Sequence, residues 1–235
     1  MSEKYQSKEF NKNFFQWWNK DGEFALLHKI NPVRNKYILK IISEYFKSEN
    51  FAQFKLLDIG CGGGLVSSFF DKLEFNVTAI DPNPETIKAA IQYKIHNKLK
   101  ANYINSNLVN FSKNTSEKFN IILCLEILEH IDDLENFLSL AIQLIDKNGL
   151  LIISTINKNI QSYIKMILLC EYILKIIPKN THQYDKFLKP SYLNKILTKL
   201  EMKFLKLDGL DLNLLNGEFY ISEKIKSNYF ITYYK

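Results

Sequence analysis

Apolar positions recur at helical spacing near the start of the chain and then gather into short solid runs separated by helix-compatible stretches. Residues 8–20 and 31–47 are predicted helices. The first carries Phe14, Phe15, Trp17 and Trp18, and the second is entered through Asn31-Pro32 with proline near its start. The run KLLDI at 55–59 reads as a buried strand, 65–73 as a helix, and 76–80 as a second strand closed by Asp81. Pro84 opens a helix to about Lys98. Tyr103-Ile104 is a weak strand, 119–124 a strong one, 132–145 a helix, and GLLIIST at 149–155 again a buried strand. Strands alternating with helices through short connections predict an α/β class, a mostly parallel sheet covered on both faces.

Beyond Thr155 the rhythm breaks. Residues 160–177 are apolar nearly all round a helix, with only Lys165, Glu171 and Lys175 charged. As a helix they would reach about 27 Å, but three charges at ~2.5–3.5 kcal/mol each near a bilayer centre argue against a span. A helix over 190–200 and strands over 204–212 and 227–235 complete the prediction. The expectation is one domain over 1–235: N-terminal helices 1–50, a core 51–156, a helical insertion 157–190, and a closing helix and strands 191–235.

Composition narrows the classes. With 235 residues, 46% hydrophobic and 24% charged, the chain can bury a sizeable core. The net charge of +6 (31 basic minus 25 acidic) comes almost wholly from lysines spread along the chain; Arg34 is the only arginine. No basic cluster with interleaved aromatics accompanies it, so nucleic acid is not an expected partner. Three scattered cysteines, Cys61, Cys124 and Cys170, suit small apolar fillers in a reducing compartment. Residues 1–10 lack the apolar core of a secretory signal, which points to a cytoplasmic protein.

The strongest motif is Asp58-Ile-Gly60-Cys-Gly62-Gly63-Gly64, which holds four of the chain's eight glycines. Glycines there let backbone approach a ligand closely and tolerate positive φ, in the crevice beyond the strand ends. A dinucleotide fingerprint needs glycine at 65, where Leu65 stands. The spacing DxGxGxG is that of α/β enzymes binding S-adenosylmethionine, with Asp81 placed to hold two ribose hydroxyls.

Glu126, Glu129 and His130 follow the fourth strand, at spacings that share one face if the turn is helical. Two carboxylates and an imidazole suit a divalent cation such as Mg2+. They equally suit proton transfer, with His130 as general base and Glu129 setting its tautomer. An acidic helix start favoured by the macrodipole is the plainer explanation.

Four passages carry a narrower likeness: FQWWNKDGEFALLHKINPVRNKYI at 15–38, LLDIGCGGG, CLEILEHIDD, and EYILKIIPKNTHQYDKFLKPSYL. Together the chain resembles the ubiquinone biosynthesis O-methyltransferase family over nearly its whole length. The resemblance implies a Rossmann-like fold of the class I methyltransferase type with N-terminal helices and a helical insertion after the fifth strand. It implies cofactor contacts at Arg34, Gly60, Asp81 and Leu125, with Gly62 and Asp58 beside them. The lone arginine suits the cofactor's carboxylate through two parallel hydrogen bonds. It also implies magnesium held by Glu126, Glu129 and His130, as in eukaryotic members. The acceptor it implies is a polyprenylated phenol or quinol. Residues 160–177 would then meet an anionic membrane on its inner face, and other ubiquinone-pathway proteins would be partners. The chain departs from the family at Asn180, where glycine is usual, and in a lysine-rich C-terminal segment. Other small-molecule or RNA methyltransferases, or a cofactor-binding module without catalysis, remain alternative readings of the motifs alone.

Overall fold

In the computed structural model, which describes residues 17–158, 187–213 and 216–235, the alternation of strand and helix is realised over most of the length. The expected helix at 8–20 is described only at its last residues, and the segment 160–177 lies outside the described residues.

The chain divides into two units, Met1–Leu123 and Cys124–Lys235. In the first, α1 (Ala25–Phe46) leads into β1 (Lys55–Ile59), α2 (Leu65–Lys72), β2 (Asn76–Asp81), α3 (Pro84–His96), β3 (Asn102–Asn105) and α4 (Leu108–Asn114). The strands run parallel in the order β3-β2-β1, with Ile59 beside Ile80 and Asp81 beside Asn105. Gly60 and Asp81 therefore leave the sheet at the same edge, the carboxyl ends where α/β folds bind ligands. Leu56, Leu57, Ala79 and Ile80 are buried, and Phe75 gathers Phe51 (4.7 Å between centroids) and Phe70 (5.3 Å) beneath the strands.

A shifted helix start and an unpredicted helix correct the sequence reading. Helix α1 starts at Ala25, not at 31, so Pro32 lies inside it rather than near its start. Helix α4 was missed because its seven residues are too few to show a period. Its signal was Asn107, whose side chain accepts from the Asn110 amide at 2.8 Å and caps the helix.

The strand β4 (Phe119–Leu125) carries the division between the units. The second unit then holds a 3₁₀ turn at Leu128–His130, α5 (Leu134–Gln143), β5 (Ile145–Ile156), α6 (Pro190–Lys199), β6 (Lys203–Asn213), β7 (Glu218–Ser222) and β8 (Asn228–Tyr234). Asp133 caps α5 by accepting from the Asn136 amide, which sets its start two residues later than expected. The order is β5-β8-β6-β7, and each of these pairs is antiparallel. Strand β7 was not anticipated, since its sequence EFYIS is only half buried and offers no solid apolar run. Gly209 in β6 is required: a β-carbon there would come within 2.3 Å of the Lys224 carbonyl oxygen.

Candidate functional site

The loop after β1 is shaped by glycine conformations. Gly60 (φ 75°), Gly62 (φ 53°) and Gly64 (φ 81°) all adopt the left-handed region that strains any other residue. The amides of Gly60 and Cys61 both donate to the Ile80 carbonyl, at 2.8 and 3.1 Å, so the loop is stitched to β2. The Gly62 amide donates to Asp81 Oδ2 at 3.0 Å. Asp81 Oδ1 accepts from the Asn83 amide at 2.9 Å and from the Thr86 hydroxyl at 3.0 Å. The Thr86 hydroxyl also lies 2.8 Å from the Asn83 carbonyl and has one hydrogen to share between the two acceptors, so when it turns to that carbonyl the Asp81 carboxylate keeps about two lone-pair positions for two ribose hydroxyls. Thr86 carried no sequence signal beyond its place in the first turn of α3.

Asp58 is buried, and its carboxylate accepts the Ser67 hydroxyl from α2. Burial pushes its pKa up to about 6, against the opposing pull of the Ser67 hydrogen bond and the Arg34 guanidinium. Arg34 is itself only 4% exposed, and its Nη1 donates to Asn31 Oδ1 at 3.3 Å. An acid and a guanidinium therefore share one electrostatic neighbourhood with Asp81, whose own charge raises Asp58 further. The Cys61 thiol is pushed well above its ordinary range, first by burial, which suits a filler rather than a nucleophile. His28 donates from Nε2 to the Trp17 carbonyl at 2.9 Å. These groups fit the donor molecule: a side-chain-free loop, a carboxylate beside it, and a guanidinium nearby.

In the second unit, Leu125 ends β4 buried, and Glu126 follows with φ 54°, a conformation that costs a non-glycine residue about 1–2 kcal/mol. It is held there from both ends of the residue. Its amide donates to the Ser154 carbonyl at 2.9 Å, and the Ser154 hydroxyl donates to Glu126 Oε1 at 2.6 Å. Glu129, 4% exposed, accepts the Thr155 hydroxyl at 2.9 Å. Burial first, and the charge of Glu126 second, push its carboxyl up to about 8. Both acids raise the Tyr229 phenol, already shifted upward by burial. Ser154, Thr155 and Tyr229 were missed as site residues; the first two were legible only as the polar end of an apolar strand.

The expected metal set is not assembled as three ligands. Glu126 and Glu129 interact, but His130 is exposed. Among the described residues no three His, Cys, Asp or Glu side chains are grouped to hold one ion. No chemical step is therefore assigned to a metal.

The chain matches the family described as a methyltransferase domain over residues 15–205. It is 39% identical over 229 residues to the ubiquinone biosynthesis O-methyltransferase of Rickettsia canadensis (strain McKiel), covering 97% of this chain and 95% of that one. The protein of the same name from Rickettsia typhi (strain ATCC VR-144 / Wilmington) is 40% identical, with 97% and 91% covered. Among solved structures, the plantazolicin methyltransferase BamL, in complex with a triazolic desmethylPZN analog and SAH, superposes with a TM-score of 0.67. Its identity is 16%, with 98% of this chain and 91% of that one covered. The magnesium protoporphyrin IX methyltransferase ChlM from Synechocystis PCC 6803 with bound SAH gives 0.62 at 15% identity, covering 89% and 86%. These likenesses establish the Rossmann-like α/β methyltransferase fold.

Proposed function

The chain belongs to the ubiquinone biosynthesis O-methyltransferases, and from that premise we propose how its residues divide the work of methylating a phenolic oxygen. It is an S-adenosylmethionine-dependent O-methyltransferase of ubiquinone biosynthesis, and its acceptor is a prenylated phenol. The methyl-bearing sulfonium is the electrophile that the donor brings. The finer assignments rest on the glycine loop joined to Asp81, the observation that carries the reading.

On this reading Gly60 and Gly62 present backbone to the donor, and Asp81 takes its ribose. Arg34 takes its carboxylate, and Asp58 orders the loop through Ser67. Leu125 offers apolar surface to the adenine. Alignment matters here because in-line displacement gains most from held geometry. His130, an imidazole exposed to solvent, removes the phenolic proton, since imidazole is the side chain suited to that exchange near neutrality. When bound, the donor would supply an electrophilic methyl group to that oxygen and leave as a neutral thioether. Glu129 keeps a proton at neutral pH and acts as a positioning group through Thr155 and Glu126.

We take residues 1–235 as one methyltransferase domain, a reading supported by the family match over residues 15–205. An acceptor with a polyprenyl tail resides in lipid, so the enzyme works at the cytoplasmic face of an anionic membrane, beside other enzymes of the pathway. Among the described residues no helix is long and apolar enough to cross a membrane. On this reading the contact is peripheral, carried by the apolar residues 160–177, and co-sedimentation with anionic vesicles is the result expected of it. For the function itself, a bacterial strain lacking its ubiquinone O-methyltransferase should regain ubiquinone when it expresses this chain. It should not regain it with Asp81→Ala, and failure of the unaltered chain to restore ubiquinone would count against the reading.

A further inference from the structure

We propose that Trp17 is a wall of the donor site, its indole holding Gly62 and Gly63 in the conformation that receives the donor. A β-carbon on Gly63 would come within 2.4 Å of Trp17 Cδ2, and one on Gly62 within 2.7 Å of Cη2. Gly63 decides the argument. Its neighbours Gly60, Gly62 and Gly64 need glycine for positive φ, but Gly63 has no such backbone demand. What excludes a side chain there is the indole lying directly on it. Such contacts leave no void into which the loop could shift.

The indole is itself braced. The Phe24 ring stacks on it at 3.8 Å between centroids with 9° between planes, and His28 ties down the Trp17 carbonyl at 2.9 Å. Phe24 and His28 lie at the entry of α1, the helix that carries Arg34. One stretch of chain thus supplies a wall against the glycine loop and the guanidinium assigned to the donor's carboxylate. Trp17 is a positioning residue: it acts on the donor through the loop. The inference rests on the loop being the donor's seat.

The test is a cycle of four proteins, unaltered, Trp17→Ala, Gly63→Ala and the double variant, titrated calorimetrically with S-adenosylhomocysteine. Each single change should weaken binding about tenfold or more. The double should bind no more weakly than Trp17→Ala, because the three atoms nearest the added methyl all belong to the Trp17 indole. Such non-additivity marks a direct contact. Trp17→Phe should restore most of the affinity, which a general loss of folding would not allow. In a Trp18→Phe background Trp17 is the sole tryptophan of the chain's two, and its fluorescence should change on saturation. Binding by Trp17→Ala equal to or tighter than the unaltered protein, additive losses, or unmoved fluorescence would overturn the proposal. Asp81→Ala separates the two ideas. If it weakens binding while Trp17→Ala does not, only the wall is lost; if neither does, the donor seat itself is misplaced.

Discussion

The Gly62 amide donates to Asp81 Oδ2 at 3.0 Å, so the carboxylate assigned to the ribose is also the brace of the loop beside it. Donor binding and loop shape are coupled through one side chain. Asp81→Asn keeps one acceptor oxygen while removing charge, whereas Asp81→Ala removes both functions. Hydrogen bonds to a charged group are worth about 1.5–3 kcal/mol, so the alanine variant should lose roughly 10- to 100-fold in affinity for S-adenosylhomocysteine. The asparagine variant should fall between, and equal affinities in calorimetry would refute the double role.

Arg34 should matter only for ligands that carry the amino-acid carboxylate. Arg34→Ala is expected to weaken S-adenosylhomocysteine about tenfold or more. It should leave 5′-methylthioadenosine, which lacks that carboxylate, unaffected. Lysine should rescue little, because it cannot supply the planar two-bond fork. Equal losses for both ligands would place Arg34 in the fold rather than at the carboxylate.

Asp58 gives the fold a pH signature. Its pKa is raised from 3.8 to about 6 by burial, so the folded state holds a proton the unfolded chain has released. Its contribution is fully present below about 4 and is lost as pH rises through about 6. The loss reaches at most about 3 kcal/mol, from roughly 1.4 kcal/mol per unit. The melting temperature of Asp58→Asn minus that of the unaltered protein should therefore climb between pH 4 and 6 and level off above. A difference independent of pH would show that burial does not hold that proton.

Glu129 and His130 should separate kinetically. Replacing His130 by alanine is expected to lower kcat by about 10²–10⁴ with donor affinity intact. Glu129→Gln imitates the protonated carboxyl and should keep kcat within a few-fold at pH 7. Its profile should diverge from the unaltered enzyme above pH 8, where Glu129 ionises. Full turnover by His130→Ala would move the base elsewhere.

Much of this was legible in the chain because it is written locally. The strand at 55–59, the glycines after it and Asp81 at the next strand's end are short-range signals, and they survive into the structure nearly residue for residue. Asn107 and its helix were overlooked because a cap without a period is a weak cue. Gly63 could be read as part of a loop but not as the seat of an indole 46 positions earlier, since only folding brings Trp17 there. The spacing of Glu126, Glu129 and His130 suggested one shared face. A left-handed Glu126 and a 3₁₀ turn instead bury one acid and expose the histidine. Burial, which sequence does not state, is also what shifts Asp58 and Glu129.

Methyl transfer to a quinol oxygen can be measured directly. Purified protein should be mixed with methyl-labelled S-adenosylmethionine and a short-chain demethylubiquinol, with and without Mg2+, and the product analysed by mass spectrometry. Label on the phenolic oxygen, absent from an Asp81→Ala control, is the expected result. Unmethylated quinol under both conditions, from protein that still binds S-adenosylhomocysteine, would contradict the account.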